Sequence, residues 1–214
     1  MKLSASILSC DTAYLGESIR IIEQAGAHFI HIDIMDGRYV DNITFGPKIV
    51  TDIKNITKLP VEVHLEMYDP ERFLVMFTSA GADRVIVHRE TCVNPIRTLN
   101  RLKELGAQAG MALNPCEDVS LLKYLLTYLD FVVIMSVEPG FGGQNFERSS
   151  LEKIKNLKKM MKEQDIDIPI AVDGGIDREI AKELKEAGAD ILIIGNEIFK
   201  NNSIFDNIKS LLHV

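Results

Sequence analysis

The feature that most constrains this chain is a recurring junction, in which a helical stretch stops at a glycine, an alanine follows, and a short apolar run begins at once. It occurs at Gly26-Ala27 before His28–Asp33, at Gly81-Ala82 before Asp83–His88, at Gly106-Ala107 before Gln108–Leu113, and at Gly188-Ala189 before Asp190–Gly195. Glycine just past a helix adopts the left-handed conformation that ends the helix without steric cost. These glycines lie 55, 25 and 82 residues apart. The spacings are close to two, one and three copies of a unit of about 27 residues, a length that suits one strand plus one helix. A chain of 214 residues holds about eight such units.

Strand-like runs fill the slots near Leu3–Leu8, Phe29–Ile34, Val61–Leu65, Arg84–His88, Gln108–Leu113, Phe131–Val137, Ile168–Val172 and Ile191–Ile194. Amphipathic stretches such as Ser149–Lys162 lie between them. Several runs are almost continuously apolar, as parallel strands buried on both faces are. Alternating strands and helices leave an open doubly wound sheet or a (β/α)8 TIM barrel, and the count of eight favours the barrel. No linker or low-complexity segment divides the chain, so residues 1–214 read as one barrel domain.

Barrel enzymes build their active sites at the C-terminal ends of the strands. The second run ends in His31-Ile32-Asp33-Ile34-Met35-Asp36-Gly37, and the period of two puts His31, Asp33 and Met35 on one face. The third ends in His64-Leu65-Glu66, the fourth in His88-Arg89-Glu90, and the seventh in Asp173-Gly174-Gly175. His31, Asp33, His64 and Asp173 supply two nitrogens and two oxygens. Such a set either holds a divalent transition metal or forms a hydrogen-bonded polar cluster at the barrel mouth. His88 reads as a partner behind the others rather than a ligand.

Glycines crowd the ends of the last three strands, at Gly140-Phe141-Gly142-Gly143, Gly174-Gly175 and Gly195-Asn196. They let backbone amides approach an anion, and barrels place phosphate at this position. Composition bears on how that anion is held. The net charge is −7, which excludes a broad basic surface for nucleic acid or for an anionic membrane. Any phosphate is therefore gripped locally, by amides. No apolar run reaches a membrane span, and the N-terminal apolar stretch is too short for a signal peptide. The cysteines, Cys10, Cys92 and Cys116, form no paired motif, which points to a reducing cytoplasm.

A carboxylate-rich centre beside a phosphate cradle suits a small phosphorylated carbonyl compound. A metal bound to a carbonyl and its neighbouring hydroxyl acidifies the C–H between them and stabilises the enediolate formed. One carboxylate removes that proton, and a second on the opposite face returns one with inverted configuration. Asp33 and Asp173 can flank a substrate in this way, which points to an epimerase or isomerase.

The sequence resembles the ribulose-phosphate 3-epimerase family over essentially its whole length. The resemblance is carried by Ser4-Ala5-Ser6-Ile7-Leu8-Ser9, His31 to Gly37, His64-Leu65, His88-Arg89-Glu90, Asn114-Pro115, Met135 to Gln144 and Val172-Asp173-Gly174-Gly175. It implies a (β/α)8 barrel and an epimerase acting at C3 of a ketose phosphate, ribulose 5-phosphate to xylulose 5-phosphate first among them. It further implies one divalent metal (Zn, Fe(II), Mn or Co) on His31, Asp33, His64 and Asp173, with Asp33 and Asp173 as the acid/base pair. Substrate contacts are implied for Ser6, Met35, His64, Met135 and Asp173, and for the loops Gly140 to Gly143, Gly174-Gly175 and Gly195-Asn196. Many relatives assemble, so a homo-oligomer stays open.

Two residues depart from the family pattern. Glu66 stands where the family usually has Met, and Asn196 where it commonly has Ser or Thr. By strand alternation Glu66 shares the face of His64. Either it turns to solvent or pairs with Arg89, or it touches substrate, metal or a titrating neighbour. Met67 takes the missing Met's place only if a bulge shifts the register. These departures leave the sugar open, with allulose 6-phosphate as the alternative. A decarboxylase barrel of similar fold would want Asp-x-Lys-x-x-Asp in the second strand, and this chain has neither that spacing nor the Lys. A barrel that only binds sugar phosphate is the non-catalytic alternative, against which the complete set of four donors argues.

Overall fold

The computed structural model describes residues 1–214, leaving aside the side chain at 202. Eight strands form a closed ring in sequence order, every neighbouring pair parallel. They are β1 (Lys2–Ser6), β2 (Phe29–Met35), β3 (Val61–Glu66), β4 (Arg84–His88), β5 (Gln108–Leu113), β6 (Phe131–Met135), β7 (Ile170–Asp173) and β8 (Ile191–Ile194). The helices are α1 (Leu15–Ala25), α2 (Pro47–Lys54), α3 (Leu74–Ser79), α4 (Pro95–Glu104), α5 (Ser149–Glu163), α6 (Arg178–Ala187), α7 (Asn196–Phe199) and α8 (Ile204–Leu212). Between β5 and β6 the chain makes two 3-10 turns, Val119–Leu122 and Leu126–Tyr128. The recurring glycines behave as the sequence requires. Gly26 and Gly188 sit just past α1 and α6 at φ +92° and +104°, and their amides bond back to the last helical turn.

Strand alternation sorts side chains into two cores. Outward residues such as Ile30, Ile32 and Ile34 pack with Ile19 and Ile22 of α1 and with the other helices. Inward residues Ile86, Ala112, Phe131, Val133, Ala171, Ile191 and Ile193 fill one side of the barrel interior. Apart from Phe29, Met35 and Ile86, the inward positions of β2 to β4, with Ser4 and Ser6 of β1, instead hold buried polar groups: His31, Asp33, Glu62, His64, Glu66, Arg84 and His88. This asymmetry places polar chemistry inside the ring.

Three strand limits fall short of those read in the sequence. β1 stops at Ser6, because Ser6 Oγ accepts from the Leu8 amide and turns Ile7–Ser9 into a 3-10 turn. β6 stops at Met135, where the Ser136 amide and hydroxyl both donate to the Asp173 carbonyl, and the hydroxyl also to that of Gly174. β7 starts at Ile170 rather than Ile168, since Pro169 has no amide hydrogen to give a ladder. In contrast, β1 begins one residue earlier than read, β2, β3 and β7 each run one residue further, and Met35 pairs in register with Glu66.

Candidate active site

His31 and Asp33 project from β2, His64 from β3 and Asp173 from the end of β7, and each offers a donor atom within 4.8 Å of the others. His31 Nε2 lies 3.0 Å from Asp33 Oδ1 and 3.6 Å from Asp173 Oδ2. His64 Nδ1 lies 3.6 Å from Asp33 Oδ1 and 3.5 Å from Asp173 Oδ2. Asp33 Oδ2 accepts from Ser6 Oγ at 2.7 Å.

Each histidine is aimed from behind. His31 Nδ1 donates to Glu62 Oε1 at 2.8 Å, and that carboxylate also accepts from Ser4 Oγ and pairs with Arg84. With its proton on Nδ1, His31 presents Nε2 to the cluster. His64 Nε2 contacts His88 Nε2 at 2.9 Å, His88 Nδ1 contacts the Tyr39 hydroxyl at 3.0 Å, and that hydroxyl donates to Glu90. This chain turns His64 Nδ1 toward the two aspartates. Among the described residues that buried atom has no hydrogen-bond partner. An orphaned imidazole nitrogen facing two carboxylates, beside a second imidazole, is the donor set of a divalent transition metal, so the residues fit such an ion.

Without an ion, protons hold the cluster together. Burial works against a charged His31, yet Asp33, Glu62 and Asp173 outweigh it and raise its pKa well above the ordinary value. His64 is likewise opposed by burial and raised to about 9, mainly by Asp173 and Asp33. Burial also works against a charged Asp33, but His31 and His64 hold its carboxyl well below the usual range. His88 is pushed down by burial and by the charge on His64, which suits a neutral relay.

Glu66 settles the alternatives left by the sequence. Its side chain is 3% exposed, so it does not turn to solvent. It also makes no ion pair with Arg89 among the described residues. It lies in the wall of the cleft, with Oε1 3.8 Å from His64 Nδ1. Burial, reinforced by Asp33 and Asp173 beyond what His64 offsets, pushes its carboxyl up to about 8. No bulge shifts the register, and Met67 points into the outer core.

A cleft of about 270 Å³ opens above the cluster. Ser6, Asp33, Met35, Met135 and Asp173 line its floor, and Gly140, Phe141, Gly142, Gly143, Gly174, Gly175, Gly195 and Asn196 line one end. His64 does not line it. Its ring is fully buried, with Asp33, Asp173 and Glu66 carboxyl oxygens 3.5 to 3.8 Å from Nδ1. No Lys or Arg among the described residues lines the cleft. Gln144 Nε2 donates to the carbonyls of Glu138 and Phe141, and Asn42 Nδ2 to that of Gly140, which braces the glycine loop. Gly143 sits at φ +80°, and a Cβ there would lie 2.8 Å from Asn196 Nδ2. Asn196 Oδ1 in turn accepts from Ser9 Oγ.

Residues that sequence reasoning passed over include Glu62, Arg84, Tyr39 and Ser9. Glu62 was readable, since it lies two residues before His64 on the same strand face. Tyr39 carries no such signal, because a loop brings it in, and Ser9 was legible only as the end of the Ser4 to Ser9 motif.

Fold and cleft together define an enzyme of the (β/α)8 class, with a paired imidazole–carboxylate centre next to a glycine-walled cleft. A family model described as the ribulose-phosphate 3 epimerase family matches residues 2–199. The ribulose-phosphate 3-epimerase of Bacillus subtilis (strain 168) is 45% identical over 200 residues, covering 93% of this chain and 92% of its own. The chloroplastic ribulose-5-phosphate-3-epimerase of Arabidopsis thaliana is 44% identical over 211 residues, covering 98% of this chain and 75% of its own. Among solved structures, a 3-hexulose-6-phosphate synthase superposes with a TM-score of 0.76 at 18% identity, covering 99% of this chain and 98% of its own, a likeness of fold alone. The chain belongs to the ribulose-phosphate 3-epimerase family.

Proposed function

We propose that this chain is an isomerase of carbohydrate metabolism that inverts C3 of ribulose 5-phosphate to give xylulose 5-phosphate. The observation that carries the chemistry is the convergence of Asp33 and Asp173. They come from β2 and β7, three strands apart round the ring, and meet at the same two imidazoles. One carboxylate thus serves each face of a substrate lying between them. In the forward direction one takes the C3 proton and the other returns a proton from the opposite side. Ser6 Oγ, donating to Asp33 Oδ2, orients that carboxylate.

His31, Asp33, His64 and Asp173 would hold one divalent transition metal. When bound, it would stabilise the negative charge that develops on the substrate oxygens as the C–H ionises. Glu62 and His88 keep the two imidazoles turned toward it. The amides of Gly142, Gly143, Gly174 and Gly195 would grip the phosphate, with Asn196 beside them, while Met35 and Met135 cover the carbon chain. Residues 1–214 act as one barrel domain in the cytoplasm, a placement supported by cysteines that are all free thiols.

The test is turnover of ribulose 5-phosphate in deuterated water by metal-loaded protein. Xylulose 5-phosphate carrying deuterium at C3 is expected. Product without deuterium, or undiminished turnover in strong chelator, would overturn the mechanism.

A further inference from the structure

Glu66 ends β3 on the inward face, in the wall of the cleft. Its Oε1 is 3.8 Å from His64 Nδ1, beyond hydrogen-bond length. Its Oε2 is buried without a partner, and its Oε1 likewise makes no hydrogen bond among the described residues. A buried carboxyl oxygen without a partner is costly. A carboxyl left unengaged in the wall of a binding cleft is positioned to bond whatever occupies that cleft. His64, Glu66 and His88 also lie close enough together to suggest a second metal. That reading fails on the hydrogen bond of 2.9 Å between the two Nε2 atoms, which engages the face each ring turns to the other.

The ring geometry says which part of a ligand Glu66 meets. β3 lies opposite β7, four strands away in either direction round the closed ring. The glycine loops follow β6, β7 and β8, so the anion pocket is on the far side of the cleft from Glu66. A ketose phosphate with its phosphate in those loops and C3 between Asp33 and Asp173 extends its remaining carbons toward β3. Those carbons are the carbonyl carbon and the terminal hydroxymethyl group. Resting on the proposed function, we infer that the Glu66 carboxyl accepts a hydrogen bond from the C1 hydroxyl of the ketose. Glu66 is thereby a specificity residue, which selects ketose phosphates ending in CH2OH over those ending in a methyl group. A thioether or alkyl side chain at this position has no oxygen with which to make that distinction.

The experiment crosses two variants with two ligand pairs. Glu66→Met keeps the length of the side chain and removes both oxygens, and Glu66→Gln keeps one carbonyl oxygen. The substrates are D-xylulose 5-phosphate and its 1-deoxy analogue, compared by kcat/KM. The corresponding unreactive pentitol phosphates, obtained by reduction, are compared by calorimetric Kd, and metal content is measured for every sample. Wild type is expected to favour the hydroxylated member of each pair by about tenfold or more. Glu66→Met should bring that preference close to one with metal content unchanged, and Glu66→Gln should keep most of it. A preference that survives in Glu66→Met overturns the inference while the epimerase reading stands. Loss of metal from Glu66→Met also overturns it, since Glu66 would then be a metal ligand. A wild type inactive on ribulose 5-phosphate overturns the epimerase reading, and this inference with it.

Discussion

Asp33 and Asp173 carry equal weight in the proposed reaction, although their surroundings differ. Asp33 is deeper, bonded to Ser6, with a side chain 5% exposed, while that of Asp173 is 15% exposed. If each serves one face, replacing either by Asn removes an essential proton carrier. At matched metal occupancy both variants should lose roughly 10²–10⁴-fold in kcat. Exchange of the C3 proton with solvent, followed by NMR, checks this, and a nearly active Asp33→Asn or Asp173→Asn would refute the two-sided arrangement. Glu62 acts through His31. Changing it to Gln replaces a pure acceptor with an amide that can present the wrong group to Nδ1. Metal affinity, read by chelator competition, should fall about 10–100-fold, as it does when such outer partners are lost. Glu62→Asp should recover part of it.

At the scale of elements, the loop after β6 and the start of α7 form one wall. Gly143 holds a left-handed backbone and abuts the Asn196 amide, so Gly143→Ala both strains the turn and pushes Asn196 away. KM for the phosphorylated substrate should rise while metal content is unchanged, since the proposed ligands lie on β2, β3 and β7. An unchanged KM would remove this loop from the phosphate site. The strands themselves were readable from the sequence wherever apolar runs had clear ends, and β4, β5 and β8 fall where expected. The ends of β1 and β6 were not readable, because a serine hydroxyl in each case captures a backbone group and turns a chain that is still apolar.

For the whole molecule, the buried cluster couples metal, protons and stability. His64 is raised from 6.5 to about 9 in the metal-free barrel, and His31 is raised too. A histidine whose folded pKa is raised stabilises fully below its unfolded value, and that contribution is lost as pH rises through the folded value. Glu66, raised from 4.5 to about 8, works in the same direction, since the folded state disfavours its charge. The Tm of metal-free protein should therefore fall between about pH 6.5 and 9. Metal displaces these protons, so apparent metal affinity should rise over the same interval. Thermal melts in chelator and metal titrations across this range check both trends. A metal-free Tm independent of pH would mean that the histidines carry no extra protons.

The sequence by itself determined the repeating unit, the closed barrel and the four donors at strand ends. These depend on local rules, namely glycine stopping helices, period-two alternation and strand ends forming the site. It also carried the family resemblance, with Glu66 marked as a departure. Only the tertiary structure decided where Glu66 goes, because solvent, Arg89 and the cleft were all within reach of the strand end until the neighbouring strands closed over it. Likewise, only the closed ring buried His64 beside both carboxylates. It also joined Tyr39, His88 and Glu90 behind His64, and Ser9 to Asn196. Such contacts join residues as far apart as 187 positions in the chain, and no local pattern encodes them; they exist because a barrel brings its first and last strands side by side.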